Sequence, residues 1–263
     1  MVILKGATAM VDPILKVEGL RKTYSGVVAV DDVSFDIWPN EIHAVIGPNG
    51  AGKTTLISLL DGAVAADAGT IVFRGRQIQT LVGHARARMG LSRLFQITSI
   101  FPEMTVRENV ALAVQARSAD AYWHLWRSAG DDARIVAPAL SYLEMVGLGG
   151  RASLRANVIS HGEHRLLEIA MALATEPLLL LLDEPMAGLG PEESPRMLAL
   201  IQVLRRNYSI LLIEHDMEAV FALADRISVM VDGKKIRTGS PDEIRADFKV
   251  RKAYLGNEES FDA

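Results

Sequence analysis

The stretch Gly47-Pro48-Asn49-Gly50-Ala51-Gly52-Lys53-Thr54-Thr55 satisfies the phosphate-loop pattern G-x-x-x-x-G-K-[ST] at every fixed position. In such a loop the glycines let successive backbone N–H groups turn inward around phosphate oxygens, and the helix start that follows adds positive potential. Lys53 would reach the β- and γ-phosphates of a nucleoside triphosphate, and the Thr54 hydroxyl would ligate Mg²⁺. A second group of chemical interest lies far along the chain, where Asp183 and Glu184 close an apolar run. An acidic residue at such a strand end can hold Mg²⁺ through water, and its neighbour can polarise a water for in-line attack on the γ-phosphate. Alone, the first motif is matched by a glycine-rich turn with a surface lysine, and the second by a helix cap. Together they describe nucleotide hydrolysis.

These residues need elements to hold them. Ile42–Ile46 reads as a buried strand leading into the loop, and Thr54–Leu60 as the first turns of a helix with Leu56, Leu59 and Leu60 on one face. Leu178–Leu182 is a continuous apolar run of the kind found in central parallel strands, and Ser209–Ile213 is a second, ending at Glu214-His215-Asp216. Short strands are expected at 15–18, 27–30 and 33–37, the last with Val33, Phe35 and Ile37 facing inward, and at 70–75. They would form a small antiparallel sheet beside the nucleotide site. Between about residues 97 and 176 the texture is helical, with candidate helices at Val106–Arg117, Val136–Val146 and His161–Ala174. Ile227–Val231 and Lys235–Arg237 flank Asp232-Gly233, a hairpin signal. Tyr122, Trp123 and Trp126, between 119 and 132, sit at a helical spacing that favours core over contact. The expected division is an extension over 1–13, one folded unit over 14–256 and an acidic tail over 257–263.

Composition narrows the partners. A net charge of −4 offers no long-range attraction to nucleic acid. The chain has no cysteine, which excludes disulfides and thiolate metal sites. No apolar run approaches the ~20 residues of a spanning helix, and the first ten residues do not read as a secretory signal. The expectation is a chain that does not itself span a membrane but can dock on a protein that does.

His215 at a strand end, Gln96 and Tyr24 carry no specific signal singly. Their order along the chain, with Gly47–Thr55, Ile159-Ser160-His161-Gly162-Glu163 and Leu179–Glu184, resembles the nucleotide-binding subunit of an ABC (ATP-binding cassette) transporter, over about Leu15 to Gly239. The resemblance implies an α/β fold with a RecA-like P-loop core, an antiparallel β subdomain and a helical subdomain, acting as an ATPase with ATP and Mg²⁺. It implies that Tyr24 stacks on adenine, that Gln96 touches Mg²⁺ and senses the γ-phosphate, and that His215 contacts the γ-phosphate as a switch. Ser160 and Gly162 belong to the family's signature segment and would bind the γ-phosphate held by a second cassette, so that two cassettes sandwich two nucleotides. Read from the residues alone, Ser160 precedes a helical run, so its hydroxyl and the following N–H groups form a helix-start anion site. His161 and His164 fall i, i+3 on that helix, but no further metal ligand is near in sequence.

Two departures stand out. The usual Leu-Ser-Gly-Gly-Gln signature is here Ile159-Ser160-His161-Gly162-Glu163, and the family's Ser-Ala-Leu-Asp loop is Ala187-Gly188-Leu189-Gly190, without the aspartate. Residues 104–110, 167–170, 212–217 and 253–256 are similar to importer subunits for branched-chain amino acids, and urea or amide importers use closely similar cassettes. The implied partners are permease subunits in the membrane, a second and unlike cassette, and indirectly a solute-binding protein. The implied location is the cytoplasmic face of the membrane. A soluble cassette acting on nucleic acid or ribosomes is the rival; the long coiled-coil or basic inserts of such proteins are not seen here.

Overall fold

A computed structural model describes residues 12–94, 100–117 and 132–255. The extension to residue 11, Gln96, the aromatic stretch around Trp123 and the tail beyond residue 255 lie outside the described residues. The first two strands are longer than sequence pattern alone implies. β1 (Leu15–Tyr24) and β2 (Val27–Ile37) form one continuous antiparallel hairpin rather than separate short pieces. Its register shifts break the two-residue alternation that would have shown the strands as continuous. The turn Ser25-Gly26 has positive φ at both residues, as a two-residue hairpin turn requires.

Two sheets result. The smaller, in the order β2-β1-β4-β5, is antiparallel and adds β4 (Ala68–Phe73) and β5 (Arg76–Gln77). The larger runs β10-β9-β3-β8-β7-β6. In it β3 (Ile42–Ile46), β6 (Leu91–Arg93), β7 (Leu179–Asp183), β8 (Ser209–Ile213) and β9 (Arg226–Val231) are parallel, and β10 (Lys234–Gly239) pairs antiparallel at the edge. The Asp232-Gly233 hairpin joins β9 to β10 with positive φ at both residues.

The continuous apolar runs of β7 and β8 follow from burial on both faces. Leu179, Leu181, Leu211 and Ile213 pack with helix α1 (Lys53–Asp61) and the small sheet through Leu56, Ile57, Leu59, Leu60, Phe35 and Phe73. Leu180, Leu182, Ile210 and Leu212 face the opposite core. That second core takes Val106, Val110 and Val114 from α3 (Val106–Arg117), Ala139 and Leu143 from α4 (Ala133–Met145), and Leu167, Ala170 and Leu173 from α5 (His161–Ala174). Each fully buried leucine is worth about 1.5–3 kcal/mol, so a four-residue apolar face is enough to dock α1 firmly.

The remaining helices, all but one of them of eight residues or fewer, flank these elements. α2 (Gly83–Arg88) carries the buried Arg86, whose guanidinium donates to the carbonyls of Leu59 and Leu60 and so closes the C-terminal end of α1. α6 (Glu193–Leu204) and α7 (Met217–Leu223) follow β7 and β8, and α8 (Pro241–Ala246) and α9 (Phe248–Leu255) follow β10. No helix of the described residues is long and apolar enough to cross a membrane.

Candidate active site

The phosphate loop leaves the C-terminal end of β3 and enters α1, and close packing dictates two of its glycines. A Cβ on Gly47 would collide with the carbonyl oxygen of Met230, and one on Gly52 with that of Ala29. Gly52 also has φ 96°, a left-handed conformation, and caps α1 without any side-chain acceptor. The β9–β10 hairpin braces the loop from outside: Gly233 donates its N–H to Ala51 O at 3.1 Å, and Asp31 donates to Gly233 O at 2.8 Å. No acidic residue lies in the first turn of α1. The helix start therefore keeps its positive potential for an anion.

Lys53 is 8% exposed, and its Nζ donates to Gly47 O at 2.6 Å and Pro48 O at 3.1 Å. Burial pushes the ammonium pKa down, and the charges of Glu184 and Asp183 push it back up. The structure thus brings Lys53, Asp183 and Glu184 into one electrostatic cluster. Thr54 is exposed in the first turn of α1, and Ser58 Oγ donates to its carbonyl at 2.8 Å.

Asp183 ends β7 and is 1% exposed. Arg93 Nη2 donates to its Oδ2 at 3.0 Å, while its Oδ1 is buried with no hydrogen-bond partner. Burial raises the pKa of this carboxyl, and Arg93 opposes the shift. Glu184 takes φ 49°, an unusual conformation for a non-glycine residue. Its N–H donates to Ile213 O at 2.9 Å, tying the turn to the neighbouring strand. Arg165 of α5 holds the same turn from the other side, donating through Nη2 to Asp183 O at 2.9 Å and Glu184 O at 2.8 Å. His215 Nδ1 lies 3.8 Å from Glu184 Oε1, so the ends of β7 and β8 bring these two side chains together. Glu214, buried beside it, accepts from Met186 N at 2.8 Å and His215 N at 3.2 Å. Burial raises the Glu214 pKa against those two bonds.

Tyr24 closes β1 and is 43% exposed beside the Ser25-Gly26 turn, with Lys22 Nζ 5.5 Å from its ring centroid. Ala29, from the strand that pairs with this one, packs against the phosphate loop at Gly52, so Tyr24 belongs to the hairpin that walls the loop.

Ser160 and Gly162 are placed differently. Ser160 caps α5, with its Oγ accepting from Glu163 N at 3.1 Å and the Glu163 carboxylate accepting from Ser160 N at 2.9 Å. The anion site read from sequence is in part filled by the chain's own carboxylate, which Arg151 Nε holds in turn at 2.9 Å. Gly162 is buried against the carboxylate of Glu193, and that carboxylate also accepts from Gly190 N at 3.1 Å. His164 Nε2 is 2.6 Å from Ala156 O, and His161 packs on Gly188. Among the described residues no hydrogen bond joins Ser160 or Gly162 to the phosphate loop. A cleft of about 330 Å³ runs between the face of α5 and the strand-end turn, lined by His161, His164, Arg165, Glu168, Glu184 and Gly188.

Four positions escaped the sequence reading: Arg93, Arg165, Glu193 and Glu214. Each acts through a contact distant in sequence, and none carries a motif of its own. Only Glu214 stood next to a residue already singled out.

The fold and this cluster define a phosphate-loop ATPase of the α/β type. The ABC transporter family model matches residues 30–187, and a model described as "Branched-chain amino acid ATP-binding cassette transporter" matches residues 234–260. The chain is 40% identical over 253 residues to the high-affinity branched-chain amino acid transport ATP-binding protein LivG of Escherichia coli, covering 94% of this chain and 99% of that protein. It is 39% identical over 251 residues to the corresponding BraF protein of Pseudomonas aeruginosa, covering 93% and 98%. A crystal structure of an ABC transporter cassette in its ADP conformation superimposes with a TM-score of 0.83 at 29% identity, covering 94% of this chain and all of that one. The chain belongs to the ABC transporter family, as one of its ATP-binding cassettes. It binds nucleotide and hydrolyses ATP as a transporter subunit.

Proposed function

We propose that this cassette powers an importer of branched-chain amino acids, docked on permease subunits at the cytoplasmic face of the membrane. The observation that carries the solute class is the likeness to LivG and BraF along nearly the whole chain, joined by the branched-chain match over residues 234–260. In this reading residues 14–256 are a single cassette, with the helical subdomain of about 97–176 set into the core.

The phosphate loop from Gly47 to Thr55 and the ammonium of Lys53 bind the β- and γ-phosphates, and Tyr24 stacks on the base. The Asp183 carboxylate and the Thr54 hydroxyl are the residues that would hold Mg²⁺, joined by Gln96. The fit rests on Asp183 Oδ1, a buried carboxylate oxygen with no donor, which suits a hard cation or its bound water. Mg²⁺ would supply charge neutralisation on the phosphate oxygens. Glu184 accepts the proton of the attacking water, and His215, whose Nδ1 lies 3.8 Å from that carboxylate, touches the γ-phosphate. Ser160 and Gly162 serve the phosphate of a second cassette, a reading that fits the absence, among the described residues, of any hydrogen bond from them to this chain's own loop. Closure of the two cassettes is then a population shift, favoured while the triphosphate contacts both halves and lost on hydrolysis.

The test is uptake into vesicles carrying the cassette with the permease chains that co-purify with it. ATP-dependent accumulation of leucine, abolished in Glu184→Gln, is the expected result. Accumulation of urea without leucine would overturn the solute, and co-purification with ribosomes instead of a permease would overturn the transporter role.

A further inference from the structure

Arg93 lies at the end of β6, nearly out of solvent, between two carboxylates on different elements. Its Nη2 donates to Asp183 Oδ2 at 3.0 Å, and its Nη1 donates to Asp61 Oδ2 at 2.6 Å and Ser58 Oγ at 3.2 Å. Asp61 is the last residue of α1, and Ser58 passes the contact on to the Thr54 carbonyl at 2.8 Å. One planar guanidinium therefore ties β7 to the helix whose first turn carries Thr54. The arrangement also sorts the two oxygens of Asp183. A free carboxylate turns readily about its last torsion, which is broad and nearly two-fold. Here Oδ2 is pinned, and Oδ1 alone is left without a donor. A fork with separate N–H groups is required, because an ammonium is a point charge on a flexible stem and does not replace planar bridging of two carboxylates.

We propose that Arg93 is a positioning residue that sets the divalent-cation affinity of the nucleotide site by fixing which Asp183 oxygen faces the metal; this rests on the reading of Asp183 given above. Arg93 touches neither nucleotide nor reacting atoms in this assignment. It acts through Asp183 and, by way of Ser58, through the turn that bears Thr54.

The experiment is Mn²⁺ binding to the ADP-loaded full chain by electron paramagnetic resonance, with ADP affinity measured separately in EDTA. Arg93→Met should weaken Mn²⁺ binding about 10–100-fold, the usual effect of removing a group that orients a ligand. Arg93→Lys should lie between that variant and the wild type. ADP affinity in EDTA should stay unchanged, because the phosphate loop is intact. A folded variant with wild-type Mn²⁺ affinity would overturn the assignment, as would an equal loss of ADP affinity in EDTA. If Arg93→Met does not fold, Arg93→Lys carries the test by the same criteria. Asp183→Asn separates this inference from the reading beneath it. If that variant keeps full Mn²⁺ affinity, the role of Asp183 fails. If it loses affinity while the Arg93 variants do not, only the positioning role fails.

Discussion

Two helix starts in this molecule face opposite demands. α1 begins at Gly52 with no side-chain cap and no acidic residue in its first turn. α5 begins at Ser160 with a reciprocal cap, and Glu163 supplies a carboxylate to the same turn. Both are helix N-termini with free N–H groups and a positive end, and each would attract an anion on general grounds. The first leaves that attraction wholly unspent, and the second spends part of it on its own carboxylate. The glycines of the first admit the Ala29 and Met230 carbonyls at close range, and those contacts hold the loop without consuming its donors. The second satisfies itself, at a gain of about 1 kcal/mol for a good cap. The lesson is that a helix start binds phosphate strongly when sequence withholds the usual cap and packing supplies the rigidity instead.

The largest expected effect lies between the two starts. Glu184 sits on a turn held by Ile213 O from one side and Arg165 from the other, so Glu184→Gln should leave both helix starts as they are. The amide keeps the volume and loses the proton acceptor. Steady-state ATPase activity should fall by ~10²–10⁴ with nucleotide affinity retained. Hydrolysis near wild type in the assembled transporter would remove Glu184 from this role.

The two glycines sharpen the contrast directly. Gly52→Ala asks a β-carbon to enter a left-handed conformation and to meet the Ala29 backbone, which cannot swing aside. The conformation alone costs about 1–3 kcal/mol, and the collision adds to it. Gly162→Ala meets only the end of the flexible Glu193 side chain, so its cost should stay below about 1 kcal/mol, the worth of the Gly190–Glu193 bond it displaces. Thermal or urea melts of the two variants side by side decide the matter. Equal losses would mean that the second start is as rigidly built as the first.

Tyr24→Ala probes the wall beside the first start. Loss of one aromatic platform should weaken ATP and GTP alike by roughly 1–3 kcal/mol, since every base has a stacking face. A titration showing unchanged affinity would make Tyr24 an ordinary surface aromatic of the β1–β2 hairpin.

What sequence revealed, and what it hid, follows the same division. The phosphate loop, the apolar strands ending at Asp183 and Ile213, and the helix His161–Ala174 were legible because periodicity and local motif coincide there. The β1–β2 hairpin read as fragments because its bulges interrupt alternation. α2 and β6 passed unseen because six and three residues are too short for a period, and the most buried side chain of α2 is an arginine. α4 starts earlier than its apolar pattern, at the Asp132 cap, and carries Pro138 in its interior. At the site, residues with a motif were found and residues with only a distant partner were not. Arg93 bonds across ninety positions to Asp183, and no local pattern announces such a pair.

The smallest effect tests the second helix start itself. Hydrogen bonding from the Ser160 N–H holds the Glu163 carboxyl below its ordinary range, with Arg151 assisting. A carboxyl whose pKa is depressed by folding stabilises the fold above its unfolded pKa, and the gain fades as pH falls through the folded value. Glu163→Gln keeps an acceptor for the Ser160 N–H but removes the charge that complements the helix dipole. The variant should therefore be less stable than wild type at neutral pH by about 0.3–1 kcal/mol, the range for a charge in a first turn. The gap should start to shrink as pH falls past the ordinary glutamate pKa and close below the depressed folded value, where the native wild-type carboxyl also becomes neutral. Denaturant melts at neutral and acid pH measure both quantities. A gap that persists unchanged in acid would show that Glu163 stabilises α5 by packing rather than by charge, and the contrast between the two helix starts would then rest on their caps alone.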